Sequence, residues 1–187
     1  TYLDEPTFVG IAQMLKNPEI NAAVKPMLQH SEQAKNYVIY ASQNQGQIQS
    51  PELTEVLAVP VAKMLKSQDI TEVELALDAV SRYRIEVPQN QITPFITNRP
   101  TDKTLKLALK ALESQRGTSQ NVFSQFVQDS RLTFDIRAAA LSSLVRADSI
   151  AGGLALTAWV PSLNPAQKTE LVALLSGSQA GAGIVLD

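Results

Sequence analysis

Apolar residues recur along this chain at helical spacing, and one phrase of that pattern is written more than once. Val73, Ala76, Leu77 and Val80 fall at i, i+3, i+4 and i+7, a single stripe on a helix. A shift of 32 positions reproduces the stripe as Leu105, Ala108, Leu109 and Leu112. A second shift keeps three of the four positions as Ala140, Leu141 and Leu144, with Arg137 in the first slot. A fixed period of this size, with one stripe per unit, marks stacked helical repeats. A third shift lands on Thr169, Val172, Ala173 and Ser176, so the phase slips by about one to two residues there.

Local signals place the helix boundaries. Asp4 can cap a helix that has Pro6 in its first turn and carries Phe8, Ile11, Ala12 and Leu15 on one face. Asn17-Pro18-Glu19 starts a second helix, with Ile20, Val24 and Leu28 inward and Pro26 expected to kink or shorten it. Ser31 starts a third, with Ala34, Val38 and Ala41 inward, and residues 43–49, around Gly46, read as a loop. Ser50-Pro51-Glu52 opens a helix through Leu53, Leu57, Val61, Met64 and Leu65, which Pro60 is expected to bend or split. Thr71 and Glu74 spell a capping box, with Ile70 and Leu75 as its hydrophobic staple, and that helix runs to Arg84.

Further on, Ile92, Phe95 and Ile96 mark a short helix over 90–98, and Pro100-Thr101-Asp102 opens the next, through Glu113. Val122, Phe123, Phe126 and Val127 form another; Asp135 starts residues 136–146; Leu154, Leu156 and Trp159 belong to one more. Over 166–176, Leu171, Leu174 and Leu175 face inward. The pattern predicts an all-α fold, a right-handed α-α superhelix of antiparallel pairs with about ten to twelve helices. Residues 1–187 then form one solenoid segment, with irregular helices over 1–49 and repeats over 50–187.

Composition narrows the chemistry. Of 187 residues, 44% are apolar and 18% charged, which suits a packed globular chain. The net charge is -2, so there is no surplus of Lys and Arg to neutralise phosphates; Lys103, Lys106 and Lys110 make only a local basic stripe. The absence of cysteine removes disulfides, thiolate nucleophiles, thiolate-held metal centres and covalent haem attachment. No run of about 18 apolar residues exists to span a membrane as a helix. His30 is the single histidine; it sits at an expected helix end, and neither a metal site nor a Ser-His-Asp arrangement can be assembled around it. The acids Glu72 and Glu74, or Asp4 and Glu5, lie in first turns, where capping and the helix dipole account for them. Gly152-Gly153 and residues 177–183 read as helix ends and turns, with no phosphate-loop Gly-Lys-Ser/Thr. Trp159, Phe123, Phe126 and Phe95 are assigned to the core, leaving Tyr37 and Tyr40 as candidates for a partner surface. No catalytic, cofactor-binding or metal-binding residue emerges. The expectation is a monomeric, non-enzymatic segment without nucleic-acid partners. It starts at Thr1 without a start signal and closes on Ile184, Val185 and Leu186, which read as the beginning of a further helix, so excision from a longer protein is expected.

Residues Ile136-Arg137-Ala138-Ala139-Ala140-Leu141-Ser142-Ser143-Leu144 resemble the second-helix signature of HEAT repeats: an aliphatic residue, Arg, two spacers, Ala, then Leu. In the two earlier units Glu74 and Lys106 occupy the Arg slot. Pro165-Ala166-Gln167, then Glu170-Leu171-Val172-Ala173-Leu174-Leu175-Ser176 and Gly183-Ile184-Val185-Leu186-Asp187, are similar to the helical segment of large exported bacterial proteins. In those proteins a β-propeller resembling sugar dehydrogenases precedes helical repeats and a c-type haem domain. The HEAT resemblance implies a non-catalytic scaffold for protein partners or for neighbouring domains of the same chain. The narrower resemblance implies a periplasmic or otherwise exported spacer between redox modules, with the dehydrogenase and haem chemistry outside this chain. The repeat pattern makes Leu109 a central core position. Leu109→Ala is expected to cost roughly 2–5 kcal/mol in urea unfolding, and a cost below roughly 0.5 kcal/mol would refute that placement.

Overall fold

Helix starts in this chain are set by side chains that satisfy the first free backbone N–H groups. In the computed structural model, which describes residues 3–30, 33–98, 101–115 and 119–177, most of them act as the local signals predict. Asp4 accepts from the Thr7 N–H at 3.0 Å and opens α1 (Glu5–Met14). Asn17 accepts from Glu19 at 2.9 Å at the start of α2 (Pro18–His30). Then come α3 (Ala34–Gln43), α4 (Gln45–Ile48), and α5 (Pro51–Met64), which Ser50 caps through the Leu53 N–H at 3.1 Å. After α6 (Ile70–Tyr83) follow α7 (Thr93–Thr97), α8 (Asp102–Ser114), α9 (Ser119–Gln128), α10 (Phe134–Ala147), α11 (Ser149–Trp159) and α12 (Pro165–Ser176). The described residues contain no strand, so the fold is all-α.

Several boundaries differ from the sequence pattern. The segment 43–49 is not a plain loop: it contains α4, a single turn that drives Ile48 into the core. Neither Pro26 nor Pro60 divides its helix; α2 and α5 run through them, each without the one backbone hydrogen bond that the missing N–H would make. Ser31, Pro100 and residues 178–187 lie outside the described residues.

The largest correction is at α6. Its cap is Asp69, whose carboxylate accepts from the Thr71 N–H at 2.9 Å and the Thr71 hydroxyl at 2.7 Å. A helix begun there already has Ile70 in its first turn, so neither the Thr71–Glu74 box nor the Ile70–Leu75 staple forms. A capping box stands instead at α12, where Asn164 and Gln167 exchange bonds of 2.9 and 3.1 Å.

The chain divides into two compact units, Thr1–Gln115 and Arg116–Asp187. In the first, α6 packs chiefly against α8, and α5 against α2, α3 and α6. Val73, Ala76, Leu77 and Val80 of α6 are buried, as are Leu105, Ala108, Leu109 and Leu112 of α8. Buried polar groups tie the helices together: the Tyr83 hydroxyl donates to the Ala41 carbonyl at 2.6 Å, joining α6 to α3. The Gln115 side chain holds the connection after α6, donating to the Ile85 carbonyl and accepting from the Val87 N–H, both at 3.0 Å.

In the second unit α10 is the centre, contacting α9, α11 and α12. Ala140, Leu141 and Leu144 are buried, in line with the repeat. On α12 the buried pair is Leu171 and Leu175, two residues past the slots Thr169 and Ala173, so the phase slip is real. Leu174, expected inward, is exposed, because α12 packs on α10 with a narrow stripe that Leu174 misses.

Gly152 and Gly153 are not helix ends; both lie within α11. A Cβ at Gly152 would stand 2.6 Å from a Val145 side-chain carbon and 2.8 Å from its Cα, so glycine permits the close crossing of α10 and α11. At Gly153 a Cβ would meet nothing within 4 Å. Gly152→Ala is therefore expected to destabilise the protein by about 1–3 kcal/mol. Gly153→Ala, one residue away, is expected to stabilise it by about 0.5–1 kcal/mol. Thermal unfolding of both variants checks the opposite signs.

Candidate functional site

Each unit carries a sizeable surface cleft among the described residues. The cleft of the second unit is built by α9, α10 and α11 and encloses about 510 Å³. Residues 136–144 bring Arg137 to its wall, one turn into α10. The Arg137 Nε donates to the Val127 carbonyl at 2.7 Å, near the C-terminus of α9, where carbonyls lack helical partners and the dipole favours a cation. Its guanidinium carbon stands 4.4 Å from the centre of the Trp159 ring, a cation–π geometry. Phe134 packs against the same Trp159 ring at 5.6 Å between centroids. Partial burial lowers the pKa of Arg137, against the opposing pull of the Asp129 charge. Asp129 is held by Arg131 through bonds of 2.8 and 2.7 Å, which, with the Arg131 N–H, bring its pKa down to about 2.

Leu154 stands at the mouth of the cleft and is 70% exposed; Ile150, one turn earlier on the same face of α11, is 77% exposed. In the sequence Gly152-Gly153 read as a helix end, so the exposed side of α11 was not legible there; it follows from the packing of Gly152 on α10, which leaves Ile150 and Leu154 on the opposite side of the helix. The Arg137–Trp159 pairing had no sequence signal either, because the two residues sit on different helices with no periodic relation.

The first unit's cleft, about 620 Å³, is bordered by Lys35, Lys63, Lys66, Val59 and Glu72. Lys35 and Glu72 pair across it at 2.7 Å, which raises the Lys35 pKa and lowers that of Glu72. Glu72 thus belongs to an ion pair, while Asp4 caps α1 and Glu5 accepts from the Asn44 amide at 2.6 Å.

Glu74, freed from capping, crosses from α6 to α8. It accepts from Thr101 at 3.0 Å and Thr104 at 2.8 Å, and pairs with Lys103 at 2.6 Å, with only 8% of the residue exposed. Burial works against its ionised form, but Lys103, Thr104 and Thr101 together outweigh that and lower its pKa. Of the lysine stripe, Lys103 is spent on this pair, while Lys106 and Lys110 are exposed.

Tyr37, a candidate partner residue, is buried and stacked on Phe8 at 5.3 Å; Tyr40 is half-buried beside the same ring. Trp159, Phe123 and Phe126 are buried in the second unit, and Phe95 is half-buried in the first. The side chain of His30 and residues 178–183 lie outside what is described. Among the described residues no group of three or more His, Cys, Asp or Glu side chains could hold a metal ion. No helix among them is long and apolar enough to cross a membrane. No protein-family model, curated protein or solved structure matches the chain.

A lowered folded-state pKa means that the Glu74 carboxylate adds stability above its unfolded pKa and loses it as pH falls through the folded value. Wild type is expected to exceed Glu74→Gln by about 1.5 kcal/mol at pH 7, a gap that holds down to about pH 4.5 and shrinks as pH falls from there through the folded value. Urea unfolding across that range checks it, and a gap independent of pH would contradict the assignment.

Proposed function

We propose that this chain is a non-catalytic module of HEAT-like helical repeats, whose exposed helix faces hold protein partners or neighbouring domains of the same polypeptide. Three observations support the repeat reading. The stripe of α6, α8 and α10 is buried in each helix. Arg137, at the HEAT arginine slot, donates to the helix before its own. The buried polar side chains Glu74, Gln115 and Tyr83 join one helix to another or to a connection between helices.

The observation that carries the binding role is the exposure of Ile150 and Leu154. Two large aliphatic side chains, 77% and 70% in water on one face of α11, leave apolar surface whose covering would contribute about 1.5–3 kcal/mol each. Such a patch at the mouth of a cleft is the form that protein-contact surfaces take. The double variant Ile150→Ser, Leu154→Ser changes no buried side chain and is expected to keep the wild-type circular dichroism. In quantitative cross-linking from native extract, it is expected to lose at least one protein that the wild type captures reproducibly. Recovery of the same proteins in the same amounts would overturn the reading.

A further inference from the structure

Arg137 is bound on one side only. Its Nε bond to Val127 and its position over the Trp159 ring hold the guanidinium in place, yet Nη1 and Nη2 hydrogen-bond to no described residue. The nearest acid in charge terms, Asp129, is closed by its two-pronged bond to Arg131 and forms no ion pair with Arg137. A half-buried guanidinium borders a cleft of about 510 Å³ whose other wall is aliphatic, from Ala151, Leu154, Ala155 and Ala158. A guanidinium fork held in place presents parallel N–H donors matched to a carboxylate, and fixing it beforehand removes much of the ordering cost of binding. The cation disfavours metal ions, and a chain of net charge -2 disfavours a polyphosphate backbone.

We propose that this cleft receives an acidic side chain of a protein partner, presented next to a leucine-like residue. The carboxylate pairs with the Arg137 fork, and the aliphatic neighbour lies on Leu154 and Ala155. This rests on the reading of α11 as a protein-contact face and names the chemistry of its partner.

The probe is a leucyl-glutamate dipeptide blocked at both ends, with the matching leucyl-glutamine dipeptide and free 4-methylpentanoate as controls. Binding is followed by NMR through the Arg137 Nε–H and the Trp159 indole N–H of the intact chain. The acid peptide is expected to shift both signals and to bind about fivefold tighter than the amide peptide. Arg137→Lys keeps the charge but loses the fork, and is expected to bring that preference below about twofold. Leu154→Asp alters only an exposed rim position, so folding is preserved; it is expected to weaken both peptides by removing the leucine contact, and the acid peptide more, because the new carboxylate repels it. Equal binding of acid and amide, or no shift at about 10 mM of either, overturns the proposal. So does binding of 4-methylpentanoate as tight as the acid peptide, which would assign the cleft to a free small acid. These outcomes leave the protein-contact reading to its own test with Ile150 and Leu154. Unchanged protein capture in that test, with acid preference retained here, would remove the partner protein and leave a carboxylate site.

Discussion

A helix with one apolar stripe has nowhere to put it except against another helix, and this constraint governs each unit of the protein. No sheet is present among the described residues to offer an alternative surface. The stripe of α6 is therefore covered by α8 and its neighbours, and the stripe of α10 by α9, α11 and α12. Isolated helices of 13 or 14 residues, such as α6, α8 and α10, are marginal in water, so their stability is a property of the packing. The side chains that cannot join the stripe without cost, Glu74, Gln115 and Tyr83, are placed where the next element supplies their hydrogen bonds.

The same constraint explains where function can reside. Once polar groups have been used between helices, what remains for an outside molecule is surface that no helix covers. In the second unit that surface is unusually apolar at Ile150 and Leu154, and it adjoins a cation fixed by an aromatic ring and a helix end. The Arg137 side chain is used only in part by the fold. Its Nε completes the end of α9, while the rest of its guanidinium faces no acceptor from the described residues. The recognition role proposed for it does not conflict with the structural one, because guanidinium donors point in several directions.

Much of the fold was legible because amphipathic periodicity and capping are local. The stripes over 73–80 and 105–112 are buried as the spacing required, and Asp4, Asn17 and Ser50 cap as their positions suggested. The misreadings share one cause. Glu74 matched a capping pattern, but Asp69 satisfies the helix start two residues earlier, and the glutamate then finds partners on α8. Leu174 looked inward on leucine spacing alone, yet which flank of α12 is covered depends on a single neighbouring helix. Gly152 looked like a terminator, when its missing Cβ instead lets α11 approach Val145.

By itself, then, the order of residues determined the helical class, the repeated stripe and most helix starts, because those depend on neighbours within a few positions. Only the tertiary structure decided that Glu74 joins two helices, that Tyr37 is buried, and that Arg137 lies over Trp159 beside an exposed Leu154. Each of these pairs residues remote in sequence, and no periodicity records which distant helix will arrive opposite a given face.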